Sequence, residues 1–167
     1  MHAATTIRFA TQDDIDTIGF LAQEIWPATY REILSEDQIN YMMNLIYSPD
    51  SLKNQIVDKK HSFIIVEENE SPIGFASYSI SDRPGIYKLH KIYVKLNQQG
   101  RGLGKYIIDF IVNSIKPAAA AALHLNVNRQ NKARYFYEKI GFKVIREEDI
   151  DIGNNYFMND YVMELKL

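Results

Sequence analysis

From Tyr93 the chain reads Tyr93-Val94-Lys95-Leu96-Asn97-Gln98-Gln99-Gly100-Arg101-Gly102-Leu103-Gly104-Lys105. A strand-like run feeds a turn with three alternating glycines, and a helix opens at once. Glycines let successive backbone N–H groups converge without Cβ crowding, and a helix N-terminus adds partial positive charge, so the turn suits a pyrophosphate. Arg101 and Lys105 can add side-chain charge. Such a turn can also serve tight helix packing alone, and these residues by themselves leave both readings open. Two nucleotide loops are excluded. A Walker-type loop needs glycine at position 99 and Ser or Thr at 106, where Gln99 and Tyr106 stand. A dinucleotide fingerprint opening at Gly100 needs a small residue at position 105, where Lys105 stands, and the preceding elements read as a hairpin and not a βαβ unit.

Other chemistries are bounded by what the chain lacks. With no cysteine there is no thiol nucleophile, no Cys-ligated zinc and no disulfide, so any sulfur chemistry must arrive with a cofactor. The four histidines, at positions 2, 61, 90 and 124, show no metal spacing, and Glu147-Glu148-Asp149 followed by Asp151 lacks the pattern of a calcium loop; no metal is expected. The 167 residues are 46% hydrophobic and 24% charged, which predicts one globular domain over residues 1–167. A formal net charge of −2 offers no basic field for nucleic acid. No apolar run approaches the roughly 20 residues of a membrane span. The opening Met1-His2-Ala3-Ala4-Thr5-Thr6 lacks a secretory pattern, so a cytoplasmic protein without a membrane partner is expected.

The elements that must position the turn follow from periodicity. Ile7-Arg8-Phe9 reads as a strand. Thr11 with Asp13 and Asp14 opens a first helix, whose Ile15, Ile18, Leu21, Ala22 and Ile25 share a face and which is expected to stop at Trp26-Pro27. Ser35 with Gln38 opens a second helix, and a short third is expected over residues 52–57. Residues 61–66 and 73–80 read as an antiparallel hairpin, and 87–95 as a further strand entering the glycine turn. A helix with Leu103, Ile107, Phe110, Ile111 and Ile115 on one face follows, then strand 123–127. A last helix carries Ala133, Phe136, Tyr137 and Ile140 and ends at Gly141. Strands 142–147 and 156–165 close the chain, bridged by the acidic stretch. The class is mixed α/β.

Two segments in order resemble the hallmarks of the GNAT superfamily of acyl-CoA-dependent N-acetyltransferases. Gln99-Gly100-Arg101-Gly102-Leu103-Gly104 matches its (Arg/Gln)-x-x-Gly-x-(Gly/Ala) signature, and Asn131 to Phe142 resembles its second hallmark, an asparagine followed by Ala-x-x-x-Tyr-x-x-x-Gly-Phe. The resemblance implies that fold: a mostly antiparallel sheet splayed between its fourth and fifth strands, with helices on both faces. It implies acetyl-CoA as cofactor, its pantetheine paired with the backbone of Ile92 and Val94 beside Tyr93. Its pyrophosphate would be held by the turn Gln99, Gly100, Arg101, Gly102, Leu103, Gly104 and Lys105, and its arm touched by Asn131.

Transfer from a thioester to an amine, by direct attack in a ternary complex, needs a neutral amine, a stabilised oxyanion and a proton for the departing thiolate. By resemblance a backbone N–H near Val94 holds the oxyanion and Tyr137 protonates the thiolate, although Tyr137 also sits on an apolar helical stripe where a tyrosine commonly serves as core. The strand from Tyr87 to Tyr93 has no carboxylate, so His90 is the candidate base, with a solvent-mediated route as the alternative. Trp26 and Tyr30, with Tyr41 and Tyr78, are candidate linings for the acceptor, although such aromatics also serve packing. The acidic stretch would attract a cationic amine, or is merely a solvated turn. The N-terminal helices and the ending resemble bacterial diamine and spermidine acetyltransferases, which implies a small polyamine-like acceptor. The alternatives are acetylation of a peptide or protein N-terminus and a non-catalytic acyl-CoA-binding module. Edge strands of this fold also allow a homodimer.

Overall fold

The computed structural model describes residues 4–167; His2 and the first three residues of the N-terminal reading lie outside the described residues. Among the described residues seven strands and five α-helices form a mixed α/β fold. In chain order they are β1 (Thr5–Phe9), α1 (Ile15–Tyr30), α2 (Glu36–Tyr47), α3 (Pro49–Val57), β2 (Ser62–Glu68), β3 (Ser71–Ile80) and β4 (Ile86–Val94). They continue as α4 (Leu103–Ile115), β5 (Ala122–Asn128), α5 (Ala133–Lys139), β6 (Lys143–Gly153) and β7 (Tyr156–Lys166). Among the described residues no helix is long and apolar enough to cross a membrane. The chain forms two compact units, one holding the residues up to Ser79 with Lys91–Phe110, the other Ile80–His90 with Ile111–Leu167.

In the first unit β1, β2 and β3 pair antiparallel, from Phe9↔Ile64 and Ile65↔Phe75 outward. Phe63, Ile64, Ile65 and Val66 are consecutive and all buried, so β2 is covered on both faces. Asn69 and Glu70, both at positive φ, make the two-residue turn into β3, the left-handed geometry that matches strand twist. Thr11 caps the entry to α1: Asp13 N donates to its hydroxyl while Thr11 N donates to Asp14. Arg8 pairs with Asp14 at 2.8 Å, and this hydrogen bond holds the Asp14 carboxyl below its ordinary pKa.

The first helix does not stop at Trp26-Pro27. It runs to Tyr30 with Pro27 inside, and Arg31 N still donates to Pro27 O at 3.0 Å. Proline removes one donor, yet Ile18, Leu21, Ala22, Ile25, Trp26 and Tyr30 are all buried along one stripe, and that burial outweighs one lost hydrogen bond. Trp26 and Tyr30 therefore belong to the last turns of α1 and not to a connection.

In the second unit β4 and β5 run parallel from Ile86↔Ala122 to Leu89↔Leu125, and β5, β7 and β6 follow antiparallel. The acidic stretch is strand and not turn: β6 extends through Glu147, Glu148, Asp149 and Asp151 to Gly153, opposite β7. Pairing along β7 supplies the backbone partners that make this possible, whereas local residue preference does not. Gly141, at φ +112°, reverses the chain after α5 as expected.

Candidate active site

In the first unit the end of β4 is held from several directions. Lys95 N donates to Ile73 O at 2.8 Å. Gly74 on β3 makes room: a Cβ there would lie 2.7 Å from Tyr93 O and 3.3 Å from Val94 Cα. Lys91 is buried, donates to Gln55 Oε1 at 2.6 Å, and lies over the rings of Phe63 and Tyr47 at 5.4 and 5.9 Å. Such cation–π placement offsets part of the desolvation of the ammonium. Gln55 in turn donates to Ile46 O, so β4 is fastened to the α2–α3 junction.

The glycine turn grows out of this anchored strand. Gln99, the polar residue opening the signature, donates from Nε2 to Val94 O at 3.2 Å and ties the turn to the strand end. Gly100 and Gly102 stand at φ +79° and +78°, and a Cβ built on either meets nothing within 4 Å. The backbone there favours glycine, and the space a side chain would occupy is open. Leu103 is buried at the start of α4 and pins the turn's far side. Arg101 pairs with Glu68 at 2.6 Å and with Gln98, and Lys105 pairs with Asp109 at 2.7 Å. Both cations that the sequence offers to a diphosphate already have carboxylate partners.

Three predicted residues come together beside this strand. The Tyr30 and Tyr93 hydroxyls are 2.9 Å apart, and the Trp26 ring lies 4.3 Å from that of Tyr30 and 6.4 Å from that of Tyr93. Tyr47 and Phe75 extend the cluster. Trp26 is 3% exposed, Tyr30 and Tyr78 6% each, so these aromatics are packed inside the unit. Tyr78 lies on β3 opposite Ser62, and Ile92 is half-buried on β4.

The second unit carries the other candidates. Asn131 accepts from Ala133 N through Oδ1 at 2.9 Å, just ahead of α5. Tyr137 is buried between Phe136 and Phe142, with ring centroids 5.4 and 5.7 Å away. Burial alone pushes its phenol well above the ordinary tyrosine pKa, so the hydroxyl stays protonated throughout the neutral range. His90 ends this unit's share of β4 and is half-buried.

Sequence reasoning passed over His124, whose Nε2 is 2.8 Å from Glu164 Oε2 across β5 and β7. Its signal was the alternation Leu123-His124-Leu125-Asn126-Val127-Asn128, which sets His124 and both asparagines on one face. The acids of β6 are mostly compensated. Arg129 pairs with Asp149 at 2.5 Å and Glu147 at 3.7 Å, and Arg146 pairs with Glu148 at 3.0 Å. The attraction they offer a cationic amine is correspondingly reduced.

Known proteins resemble this chain along its length. A family model described as an acetyltransferase (GNAT) domain matches residues 30–164. A spermidine N(1)-acetyltransferase of Thermoplasma acidophilum is 30% identical over 165 residues, covering 96% of each chain. A ribosomal protein bS18-alanine N-acetyltransferase of Haemophilus influenzae is 30% identical over 112 residues, 66% of this chain and 70% of the relative. Among solved structures, a PaiA N-acetyltransferase of Thermoplasma acidophilum in complex with coenzyme A superposes with a TM-score of 0.82 at 29% identity, covering 98% and 99% of the two chains.

Proposed function

Because the chain belongs to the GNAT acetyltransferase family and is an acetyl-CoA-dependent N-acetyltransferase, we propose that its acceptor is the primary amine of a small, polyamine-like molecule. The turn at Gly100 and Gly102 carries the cofactor half of this reading, since its conformation disfavours side chains and its open face leaves room for a diphosphate against the amides of residues 100–105. The end-to-end likeness to a spermidine acetyltransferase supports the acceptor half.

When bound, acetyl-CoA supplies an activated thioester and a thiol leaving group. The chain's own residues do the rest. Ile92 and Val94 offer their backbone to the pantetheine arm, and the Asn131 amide group, its Oδ1 engaged with Ala133, offers Nδ2. A main-chain N–H near Val94 holds the carbonyl oxygen as negative charge grows on it. Tyr137 donates the proton that the sulfur requires, a role its elevated pKa suits. His90 accepts the proton lost by the attacking amine, directly or through water. Gln99 and Gly74 act at one remove by fixing the end of β4.

A second reading, acetylation of a peptide N-terminus, is favoured by the arginine pairs that offset the β6 acids, which weaken the pull on a polycation. Thiol release from acetyl-CoA, followed with spermidine, putrescine and a peptide beginning with alanine, separates the two. Release driven by spermidine or putrescine supports the proposal; turnover with the peptide alone, or with none of the three, overturns it.

A further inference from the structure

Alternate residues at the end of β4 are tied to the helices of the first unit. Lys91, Tyr93 and Lys95 stand two apart, a spacing that sends side chains to one side of an extended chain. Lys91 Nζ donates to Gln55 Oε1 on α3 at 2.6 Å, and the Tyr93 hydroxyl lies 2.9 Å from that of Tyr30, the last residue of α1. Lys95 Nζ lies 3.4 Å from Glu24 Oε2, also on α1. Side chains leave a strand roughly perpendicular to its sheet, whereas N–H and C=O groups point within the sheet. These ties therefore hold the strand without using its hydrogen-bonding edge.

The three ties are unequal. Glu24 and Lys95 are partly exposed, so water screens their attraction and it contributes little. Lys91 and Gln55 are both buried, and Gln55 is fixed in turn, its Nε2 donating to Ile46 O at 2.8 Å and to Ser51 Oγ at 3.1 Å. Tyr30 is buried against Trp26, and the Tyr93 ring packs 5.7 Å from that of Phe75, so ring contacts restrict both hydroxyls. A hydrogen bond held away from water is electrostatically stronger than one at the surface. The Tyr30–Tyr93 pair is thus a firm link between α1 and the residue that stands between Ile92 and Val94.

We propose that the Tyr30–Tyr93 hydroxyl pair, supported by Lys91 and Gln55, positions the backbone of residues 92–94 for the cofactor, which makes Tyr30 and Tyr93 positioning residues of the acetyltransferase. The inference rests on the reading that this backbone takes the pantetheine arm. Main-chain hydrogen bonds to a ligand need donor–acceptor distances of about 2.7–3.2 Å, so a small shift of the strand weakens them. Acetyl-CoA is titrated calorimetrically into the wild type, Tyr30→Phe, Tyr93→Phe and the double variant, and Tm is recorded for each. Both single variants should bind about three- to tenfold more weakly with Tm within a few degrees of the wild type. The double variant should be no weaker than either single one, because all three lack the same hydrogen bond. Amide exchange at Ile92, Tyr93 and Val94 in the ligand-free protein should be faster in all three variants. Wild-type affinity in either single variant, additive losses in the double variant, or unaltered exchange at residues 92–94 overturns the proposal. No heat with the wild type would instead overturn the cofactor reading and this inference with it.

Discussion

Replacing Tyr137 with phenylalanine removes one oxygen and leaves the packing intact, since the ring contacts with Phe136 and Phe142 are carbon contacts. Burial is the one cause of the phenol's raised pKa, with no hydrogen bond from the protein contributing, so the variant gives up no internal polar partner. Its stability should stay within about 0.5–1 kcal/mol of the wild type, a Tm change of at most a few degrees at this chain length. Loss of a positioned proton donor, by contrast, costs about 100- to 10,000-fold in rate. The variant should therefore bind acetyl-CoA with unchanged affinity by calorimetry while kcat for amine-dependent thiol release falls at least 100-fold. The fall should be smaller with an acyl donor whose leaving thiol is more acidic, because a better leaving group needs less protonation. A variant within threefold of wild-type kcat refutes the role of Tyr137, and a variant that loses acetyl-CoA affinity shows that the hydroxyl binds and does not donate.

Other perturbations follow from the same geometry. Gly74→Ala places a Cβ 2.7 Å from Tyr93 O, so it should cost about 1–3 kcal/mol and lower kcat by displacing the end of β4; a variant with wild-type Tm and kcat contradicts the account of that strand. Glu68→Gln removes the carboxylate partner of Arg101 and leaves its positive charge less compensated, which should tighten CoA binding about two- to fivefold at low salt, with the gain shrinking as salt is added. Weaker binding in Glu68→Gln would mean that the ion pair is needed to shape the turn. Because folding raises the Tyr137 pKa, its contribution to stability is complete below the unfolded value near 10 and is lost as pH rises through the folded one. Denaturant melts between pH 9 and 11 should show a steeper alkaline loss in the wild type than in Tyr137→Phe.

The geometry of the glycine turn was legible because its determinants are local. A strand, a glycine turn and a helix start occupy one stretch of chain, and the constraint on Gly100 and Gly102 is a property of single residues. The bond from Ala133 N to Asn131 Oδ1 was not legible, since the sequence marked Asn131 only through its place in a resemblance. Pro27 misled because its local cost is fixed while the compensating burial of Trp26 and Tyr30 depends on partners distant in sequence. The acidic run misled likewise, since β7 stabilises it as strand and Arg129 and Arg146 neutralise it. The meeting of Lys88, His124, Arg146 and Glu148 on one sheet face was invisible for the same reason: it arises through strand registers that no local pattern encodes.

The most direct test of the account is a calorimetric titration of acetyl-CoA into the wild type and into Gly102→Val. Gly102 is at φ +78° with open space beyond it, so valine strains the backbone by about 1–2 kcal/mol and fills the cradle. The account predicts clear heat of binding in the wild type and at least tenfold weaker affinity in a variant that is still folded by circular dichroism. No heat in the wild type, or equal affinities in the two proteins, would contradict it.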